Sequence, residues 1–509
     1  MSEKYLIGID SGTQSTRVII FTTQGEQICK GIGKHPPLIV EKKGNAEHGE
    51  MDVWIGLCDA TKDVFSKFKG DPKDIVGIGL SSQRGTFMAL DQDCNIIQRP
   101  ISWMDQRMAY GIEPMPNECD PWYKFLRYYS RPNWFRVNKP DVFDKTYKWL
   151  GVGGFLTLKL CGNFIDTIAN HSVGWPIDRE AWKIADEDWK YECLGIRKDQ
   201  MARMVRPGEI LGYVSSEGSK STGFPEGCPV IACAGDKQCE QLGAGAIKEG
   251  QSYITFGTAV SLGLVGNNTQ MRSDPGLSYL TYLAAAPGTW NYEAGLYTGY
   301  WLISWFRDNL CKDLAAEAKS TGTSIEDLLN QQAAEIPAGS DGLIVIPDWA
   351  APRSRPFGKG MMIGFDSRHT RAHMFRAIIE GVALQLKVNT DIMCEKIGAQ
   401  ITEIRVGGGG SQSDISMQST ADIFGVPAMR TYLAENCSLG AAICAAVGAG
   451  VYPSFEAAVE GMTKISETFY PIPENQKLYD ELRESVFIKM YPVIEPILKN
   501  LVELTKDNK

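Results

Sequence analysis

One stretch near the start of the chain combines glycine, small hydroxyl side chains and a carboxylate in a way that could bind phosphate. In residues 8–21, an apolar run ends at Asp10, a Gly-Thr turn follows at Gly12 and Thr13, and a second apolar run leaves a small-polar cluster. The backbone N–H groups and hydroxyls of such a turn can surround a phosphate, and the carboxylate can hold the accompanying cation. The same residue types are ordinary turn formers, so a plain hairpin explains this stretch equally well on its own.

A related hairpin occurs again in the second half of the chain. In residues 251–265, a β-rich run reaches a second Gly-Thr pair, Gly257 and Thr258, and another β-rich run leaves it. The repeat suggests a duplicated domain in which each half offers one phosphate-binding hairpin. Two Gly-Thr pairs can also arise by chance, so the repeat is suggestive only.

Two further places could carry chemistry. Asp236 follows an apolar run that ends at Gly235 and precedes a polar helix start. Taken alone, this position favours a helix N-cap, which is a frequent role of aspartate. Four glycines from Gly407 lie between a predicted strand and a predicted helix, and such a run permits close approach of a flat ligand or a phosphate.

The glycine run does not fit the dinucleotide-binding pattern. That pattern needs glycines at its first, third and sixth positions, but the sixth position is Gln412 or Ser413, depending on the register. The chain also has no GxxxxGK[ST] loop. A tight strand–helix connection is the remaining structural interpretation, and four consecutive glycines make it the weaker one.

Size and composition narrow the class of protein. A chain of 509 residues is too long for one hydrophobic core, so two large domains are expected. The net charge of −9 argues against nucleic acid as a partner, and no signal peptide or bilayer-spanning segment is evident.

The 13 cysteines show no CxxC pattern, which favours free thiols in a reducing cytoplasm. His369 and His373 would share a helix face, but a surface-facing helix start explains them better than a metal pair.

Apolar periodicity predicts an α/β arrangement. Strands are expected in residues 5–9, 17–21, 27–32, 75–82, 85–90 and 95–97. Helices are expected in residues 52–68, 142–150, 324–336, 369–397, 414–424 and 438–448, with a charged terminal helix from about residue 475. The domain boundary is predicted near residues 246–251, just before the second hairpin.

Together with residues 81–85, 103–107, 360–380 and 407–427, these hairpins resemble the FGGY carbohydrate kinase family, within the actin-like ATPase superfamily. The resemblance covers most of the chain, and its blocks are specific jointly although each is weak alone. It implies two actin-like (ribonuclease H-like) α/β domains, each a mixed β-sheet flanked by helices, with the active site in the interdomain cleft. The N-terminal domain, residues 1–248, would bind the sugar and carry the catalytic aspartate. The C-terminal domain, residues 249–509, would bind the nucleotide.

The resemblance also implies roles for single residues. Asp236 matches the family's catalytic base, which accepts the proton of a sugar hydroxyl as that oxygen attacks the γ-phosphorus of ATP. Asp10 would hold Mg²⁺ through water. The implied nucleotide and phosphate contacts are Gly12, Thr13, Ser15, Thr16, Arg17, Gly257, Thr258, Gly408, Gly409 and Ser411. For Arg17, a solvent-exposed strand arginine is nearly as good an explanation.

The substrate side matches the family at Gln83, Arg84, Trp103 and Asp105. Arginine and aspartate suit polyols because a hydroxyl both donates and accepts, and a surface Asp–Arg pair with a core tryptophan is an equal alternative. Xylulose kinases usually have a histidine where this chain has Arg84, and glycerol kinases have a glutamate where it has Gly85. Both substrates are therefore doubtful. Arg84 could pair bidentately with a carboxylate, so a sugar acid is worth testing, although Asp105 would oppose that charge if it lay close by.

The sequence thus predicts an ATP- and Mg²⁺-dependent kinase that phosphorylates a small ketose, polyol or sugar acid in the cytoplasm. No nucleic-acid or membrane partner is expected, and a homodimer is possible. The main alternative is a nucleotide-gated binding protein or chaperone-like ATPase on the same fold, which would need no hydroxyl-activating base. A catalytically silent sugar sensor is a third hypothesis, against which the intact Asp10 and Asp236 argue.

Overall fold

The apolar runs of the first hundred residues form strands of a six-stranded mixed sheet, in a computed structural model that describes residues 3–107, 123, 126–127, 130–267, 279–352 and 355–505. Two units are distinguished along the chain. The first comprises Met1–Ile247, Tyr282–Asn291 and Glu435–Thr463, and the second comprises Lys248–Thr281, Tyr292–Ala434 and Lys464–Lys509. Mixed α/β architecture with two sheet-containing domains, as the sequence predicted, is therefore present.

The strands, in chain order, are β1 (Tyr5–Ser11), β2 (Ser15–Thr22), β3 (Gln27–Lys34), β4 (Ile75–Ser82), β5 (Phe87–Leu90), β6 (Ile96–Ile101), β7 (Lys148–Gly151), β8 (Ile165–Thr167), β9 (Ile177–Asp178), β10 (Lys183–Ile184), β11 (Arg203–Val205), β12 (Ile210–Tyr213), β13 (Pro229–Gly235), β14 (Gln251–Phe256), β15 (Val260–Gly266), β16 (Leu280–Leu283), β17 (Trp290–Leu296), β18 (Ile344–Ile346), β19 (Met361–Ile363), β20 (Glu403–Gly407), β21 (Ala428–Thr431) and β22 (Ile465–Phe469).

The helices are α1 (Asp52–Lys67), α2 (Arg131–Asn138), α3 (Pro140–Lys145), α4 (Val152–Cys161), α5 (Asp188–Leu194), α6 (Ser216–Thr222), α7 (Asp236–Gly243), α8 (Trp301–Leu310), α9 (Ala315–Thr321), α10 (Ile325–Ala334), α11 (Arg371–Ile397), α12 (Asp414–Phe424), α13 (Asn436–Gly448), α14 (Phe455–Met462), α15 (Pro473–Leu482) and α16 (Ile488–Leu504).

The main sheet of the first unit brings three strand ends to one edge. Its order is β12-β13-β4-β1-β2-β3, with β4 parallel to both β1 and β13. Ser82 at the end of β4 is in register with Ser11 of β1 and with Gly235 of β13. Because the carboxyl ends of parallel strands meet at the same edge, the residues that follow these three strands lie close together. That edge is where the predicted site residues of this unit are found.

Helix α13 packs directly on the backbone of this sheet. Gly8 of β1 and Gly79 of β4 are register partners. A Cβ atom at Gly8 would lie 1.8 Å from the carbonyl oxygen of Ser438, and one at Gly79 would lie 1.9 Å from that of Ala441. The two glycines therefore provide the shallow surface on which α13 rests. This contact explains why a segment from late in the chain belongs to the first unit.

The second unit also has two adjacent parallel strands, β14 and β20, whose ends carry its predicted site residues. Its sheet has the order β16-β17-β15-β14-β20-β21-β22, and β14 runs parallel to β20 with Thr255 in register with Gly407. The second Gly-Thr turn and the four-glycine loop consequently follow the ends of adjacent parallel strands. Helix α11 covers this unit's core through buried residues such as Phe375 and Ile378.

One predicted helix is wrong. Residues 142–150 divide between the end of α3, at Lys145, and strand β7, which begins at Lys148. Here Leu150 pairs with Met88 of β5, so the apolar run serves a sheet instead of a helix face. The predicted terminal helix is also interrupted, because a π-helical turn at Arg483–Phe487 separates α15 from α16.

Four smaller expectations can be compared with the structure. The cysteines of the described residues are free thiols except Cys193, which is disulfide-bonded. Within the same residues, no group of three or more metal-ligating side chains is found. His373 lies in the first turn of α11, as predicted, and its Nδ1 accepts from the Thr370 N–H at 3.1 Å. The expected surface-facing position is wrong, because His373 is buried and the side chain of His369 is 0% exposed. No helix of the described part of the chain is long and apolar enough to cross a membrane.

Candidate active site

The first hairpin places a carboxylate, Asp10, opposite a guanidinium, Arg17. Strands β1 and β2 pair with Asp10 in register with Arg17, and the Gly12 N–H closes the turn on the Ser15 carbonyl at 3.0 Å. Nη1 of Arg17 donates to Oδ2 of the buried Asp10 at 3.1 Å. The register of the hairpin thus brings these two charged side chains together.

Asp10 and Asp236 are close enough for their charges to interact. Burial raises the pKa of the Asp10 carboxyl, the Arg17 guanidinium opposes that rise, and the charge of Asp236 adds to it. A bound cation would relieve this repulsion. Carboxylate oxygens are the ligands that Mg²⁺ prefers, and it usually takes only one or two of them, completing its shell with water and phosphate oxygens. The residues present therefore fit Mg²⁺.

Asp236 is the first residue of α7, directly after β13. The N-cap position belongs to Gly235, which makes no side-chain capping bond, while Oδ1 of Asp236 accepts the Lys237 N–H at 2.9 Å. A carboxylate in the first turn is stabilised by the helix dipole. Its side chain is partly exposed, so it can be reached by a bound hydroxyl.

Arg84 lies beside Asp236. Its Nε atom is 3.5 Å from Oδ1 of Asp236, and its guanidinium lies over the ring of Tyr282, 4.1 Å from the centroid. A Cβ atom at position 235 would lie 2.5 Å from Cγ of Arg84, so Gly235 leaves the space through which this side chain passes. The structure thus brings the predicted substrate residue Arg84 next to the predicted base.

Two charged residues near this pair were not singled out from the sequence. Lys237 pairs with Glu240 one turn along α7, at 2.8 Å. Burial raises the pKa of Glu240, Lys237 opposes the rise, and the charges of Asp236 and Asp10 contribute to it. The i, i+4 spacing of Asp236 and Glu240 was the signal available in the sequence, since it places both carboxylates on one helix face.

Glu435 is a third such residue. It lies next to the start of α13 and receives Nζ of Lys30 at 2.8 Å and Nε of Arg17 at 3.7 Å. Arg17 therefore bridges Asp10 and Glu435. No sequence pattern connects positions 17 and 435, and only the packing of α13 on the sheet brings them together.

The side chain of Gln83 holds the turn of the first hairpin. Its Oε1 accepts from the hydroxyls of Thr13 at 3.0 Å and Thr86 at 3.1 Å, and its Nε2 donates to the Gly12 carbonyl at 3.1 Å. Gln83 is buried. The structure thus places Gln83, a predicted substrate residue, against the turn of the first hairpin, which is predicted to bind phosphate.

Trp103 and Asp105 reverse the arrangement of the alternative interpretation, a surface Asp–Arg pair with a core tryptophan. Trp103 is 51% exposed, and its Nε1 donates to the Thr13 hydroxyl at 2.8 Å. The side chain of Asp105 is 0% exposed and is bound by Arg107 at 2.8 Å and by the Ala46 N–H at 2.6 Å. The ring of Trp103 is therefore exposed to solvent beside the turn. The buried carboxylate of Asp105 instead joins residues 46 and 107.

Two buried histidines support the same turn and were missed from the sequence. Nδ1 of His35 lies 3.2 Å from the Thr13 carbonyl oxygen, and its Nε2 lies 3.0 Å from the Thr16 hydroxyl. Because a carbonyl only accepts, Nδ1 carries the proton and Nε2 of the neutral ring accepts from Thr16. Burial lowers the pKa of His35, and burial also lowers the pKa of His48 to about 4.

His48 joins this network through Gln83. Nε2 of Gln83 lies 3.4 Å from Nε2 of His48, and an amide nitrogen only donates, so the histidine nitrogen accepts. Thr16 is fully buried, and its hydroxyl also lies 3.0 Å from that of Ser11. A lone histidine between loops gives no periodic signal, which is why sequence patterns did not identify either ring.

In the second unit, the second Gly-Thr turn is anchored to the start of α8. The Tyr300 N–H donates to the Gly257 carbonyl at 2.9 Å, and the Gly299 N–H donates to the Thr258 carbonyl at 3.0 Å. Thr258 is exposed. The turn is therefore fixed from one side and open on the other.

The four-glycine loop packs against the same elements. Gly408 has a φ of 82°, and a Cβ atom there would lie 2.8 Å from the Phe256 carbonyl oxygen. At Gly410, a Cβ atom would lie 2.3 Å from the Tyr300 ring, whereas at Gly409 it would meet nothing within 4 Å. Ser411 is buried and is held by Arg430, whose Nε donates to its carbonyl at 2.8 Å. One side of the loop is thus packed, and the side at Gly409 is open.

The structure therefore assembles two groups of predicted residues. At one sheet edge of the first unit lie Asp10, Gly12, Thr13, Ser15, Thr16, Arg17, Gln83, Arg84, Trp103 and Asp236. At the corresponding edge of the second unit lie Gly257, Thr258, Gly408, Gly409 and Ser411. Asp105 is engaged by Arg107 and by the Ala46 N–H and does not join this group.

Two family models match the chain. The N-terminal domain of the FGGY family of carbohydrate kinases matches residues 5–243, and the C-terminal domain of that family matches residues 252–449. An "Uncharacterized sugar kinase YgcE" of Escherichia coli K12 is 36% identical over 505 residues, which cover 99% of this chain and 96% of that protein.

More distant similarities agree. An autoinducer-2 kinase of Enterobacter sp. 638 is 26% identical over 505 residues, covering 94% of this chain and 93% of that protein. The solved structure of a xylulose kinase from Rhodospirillum rubrum has a TM-score of 0.83 at 22% identity, covering 97% of this chain and 100% of that chain. At this identity the structural likeness shows the fold alone.

Proposed function

The chain belongs to the FGGY family of carbohydrate kinases, and we propose that it transfers the γ-phosphoryl group of ATP to a hydroxyl of a small carbohydrate, with Asp236 as general base. That it is a carbohydrate kinase follows from the family. The assignment of the base is supported chiefly by one observation: Asp10 lies near the end of β1 and Asp236 directly follows the parallel strand β13 at the same sheet edge, and their charges interact.

In the proposed reaction, Oδ of Asp236 accepts the proton of the substrate hydroxyl as its oxygen forms a bond to the γ-phosphorus. The bond between that phosphorus and the β,γ-bridging oxygen breaks, and ADP leaves with the electron pair. Phosphoryl transfer asks the protein mainly for positioning and charge neutralisation. Arg17, which already faces Asp10 at 3.1 Å, would neutralise charge on the transferred group.

Asp10 would hold Mg²⁺, which when bound neutralises the β- and γ-phosphate oxygens. The hairpin turns at Gly12 and Gly257 would bind phosphates through their backbone N–H groups. The open side of the glycine loop at Gly409 would accept the nucleotide. The network of Gln83 and His35 would hold the first of these turns in its binding conformation.

The substrate class remains a ketose, polyol or sugar acid. Arg84 is the residue best placed to distinguish among them, since it lies 3.5 Å from the proposed base. Asp105 does not oppose an anionic substrate, because its carboxylate is buried and paired with Arg107. Trp103 offers an exposed ring to the C–H face of a sugar. Sugar acids therefore belong in any substrate panel beside their neutral counterparts.

The test is a panel of ketoses, polyols and sugar acids incubated with ATP and Mg²⁺, with mass detection of the phosphorylated product. Replacing Asp236 with Asn is expected to lower kcat by about 10²–10⁴-fold, the usual contribution of a general base. ATP binding, measured by calorimetry, should persist. Asp93→Asn, at an exposed turn, is the matched control and should leave turnover unchanged. Undiminished turnover of Asp236→Asn would refute the assigned base.

A further inference from the structure

The C-terminal helix α16 carries an apolar face that the described part of the chain leaves exposed. Val493 is 77% exposed, Ile497 64%, Leu501 48% and Leu504 81%. Their spacing of four, four and three residues places these side chains on one face of the helix. We refer to these four residues as the C-terminal stripe. Leu498, on another side of α16, is the buried residue of the helix.

Single exposed apolar residues are normal, but a continuous row of four on one helix face marks an interaction surface. The stripe lies beyond residues 252–449, which match the C-terminal family domain. It is therefore separate from the residues to which the proposed chemistry is assigned. Its role does not rest on the proposed function.

The charges beside the stripe indicate what covers it. In a regular helix, Lys489 and Glu503 lie on the same side of Ile497, about 80° and 120° around the axis, and at opposite ends of the stripe. If two copies of α16 pack antiparallel, Lys489 of each copy comes beside Glu503 of the other. If they pack parallel, Lys489 and Glu503 of one copy lie on the opposite flank from those of the other copy and far apart along the helix, so no such pair forms.

We propose that the C-terminal stripe is a homodimer interface in which two copies of α16 pack antiparallel about a twofold axis near Ile497. A twofold contact uses the same patch on both subunits, so a self-complementary stripe is what it requires. A membrane surface is a poorer occupant. Along the helix two lysines are offset by two glutamates, and the chain carries a net charge of −9, so no attraction to anionic lipid is expected.

The contact is expected to be reversible. From Val493 to Leu504 the stripe is about 16 Å long at the rise of an α-helix. A stable interface usually buries about 800 Å² on each partner, which is more than a stripe of this length supplies alone. The dimer should therefore dissociate on dilution, and sedimentation equilibrium over a wide concentration range is the suitable measurement.

In that measurement the wild-type chain is expected to change from monomer to dimer with rising concentration, and Ile497→Glu should remain monomeric throughout. Ile488→Glu is the matched control. Ile488 is an isoleucine of the same helix, 41% exposed, but nine residues before Ile497 and so on the opposite side. It should dimerise like the wild type. A wild-type chain that stays monomeric, or an Ile497→Glu variant that still dimerises, would overturn the proposal.

Engineered cysteines test the antiparallel arrangement. Ile497→Cys should form a disulfide with its own copy under mild oxidation, since this position lies on the axis. Val493→Cys should not, because antiparallel packing separates the two copies of residue 493 by about 12 Å along the axis, beyond the reach of a disulfide. A mixture of Val493→Cys and Leu501→Cys chains of different mass should link to each other. Self-linking of Val493→Cys would indicate parallel packing and overturn the proposal, and the unmodified chain gives the background from native thiols.

Discussion

Nε of Arg84 lies 3.5 Å from Oδ1 of Asp236, while the same guanidinium covers the ring of Tyr282 at 4.1 Å. The ion pair and the stacking together fix one edge of the proposed substrate site. A planar guanidinium can satisfy both contacts at once, whereas an ammonium group presents only a point charge. The orientation of the proposed base is therefore coupled to Arg84.

Replacing Arg84 with Lys should lower kcat/KM for the sugar by about 3- to 30-fold, corresponding to the loss of a cation–π contact. The KM for ATP should change little, since Arg84 belongs to the proposed substrate site. Steady-state kinetics with each substrate varied in turn would measure both effects. Arg99→Lys, at an exposed ion pair with Glu41, is the control. Equal losses with both substrates would show that Arg84 has no selective role at the sugar site.

Asp10 offers a test in which stability and activity move in opposite directions. Burial and the charge of Asp236 raise the pKa of the Asp10 carboxyl, so its ionised form destabilises the fold at neutral pH. Asp10→Asn removes that charge and should raise the free energy of unfolding by about 0.5–2 kcal/mol, the usual gain when functional strain is relieved. Its phosphotransfer should fall sharply, and more Mg²⁺ should be needed for the activity that remains.

Urea unfolding at pH 7 and a titration of activity with Mg²⁺ would check the two halves of this prediction. Treatment with EDTA should abolish the activity of the unmodified chain. Asp63→Asn, at an exposed ion pair with Lys67 on α1, is the control and should change neither quantity appreciably. An Asp10→Asn variant that is less stable, or that keeps full activity at low Mg²⁺, would contradict the assigned role.

His48 should make the fold sensitive to mild acid. Burial lowers the pKa of His48 to about 4, while an unfolded histidine titrates near 6.5, so the unfolded chain binds the proton more readily. The stability that the neutral ring contributes is complete above pH 6.5 and is lost as the pH falls towards 4. The loss over that interval is about 3 kcal/mol. His35 and Asp52 are the titratable neighbours, of which the first adds to the shift and the second opposes it.

Replacing His48 with Gln leaves an oxygen that can accept from Gln83 but cannot be protonated. The unfolding free energy of this variant should therefore fall less between pH 7 and pH 5 than that of the unmodified chain. Carboxylates titrate in both proteins, so the difference between the two pH profiles is the informative quantity. Parallel profiles would show that His48 is not the group responsible.

The elements of this fold were largely predictable because their signals are local. Helix α12 has the predicted bounds, and α1 and α11 differ from prediction by one or two residues at an end. The hairpins and the glycine loop could also be recognised, since each combines a strand end with a turn or helix start. Asp236 was assigned only through the family resemblance, because its local context favoured a helix N-cap, and that expectation was wrong: Gly235 is the N-cap. The parallel pairing of β1, β4 and β13 then collects Asp10, Arg84 and Asp236 at one edge.

What could not be predicted depends on contacts between distant parts of the chain. The burial of Asp105 requires Arg107 to be held against Glu47, and no spacing reveals that. The ion pair of Arg17 with Glu435 requires α13 to return to the first unit. The neutral histidines depend on burial, which is set by packing and not by their neighbours in sequence. Residues 142–150 were misassigned because a short apolar run suits a strand as well as a helix.

The glycine loop of the second unit allows nucleotide binding to be separated from folding. A Cβ atom at Gly410 would lie 2.3 Å from the Tyr300 ring, whereas one at Gly409 would meet nothing within 4 Å. Gly410→Ala should therefore destabilise the fold by about 1–3 kcal/mol through overpacking, with a correspondingly lower Tm. Gly409→Ala should keep the Tm of the unmodified chain. If a nucleotide occupies the open side of the loop, Gly409→Ala should nevertheless raise the KM for ATP while the KM for the sugar stays constant. Thermal unfolding and steady-state kinetics of the two variants would decide, since a Gly409→Ala variant with an unchanged KM for ATP would exclude close contact between this loop and the nucleotide.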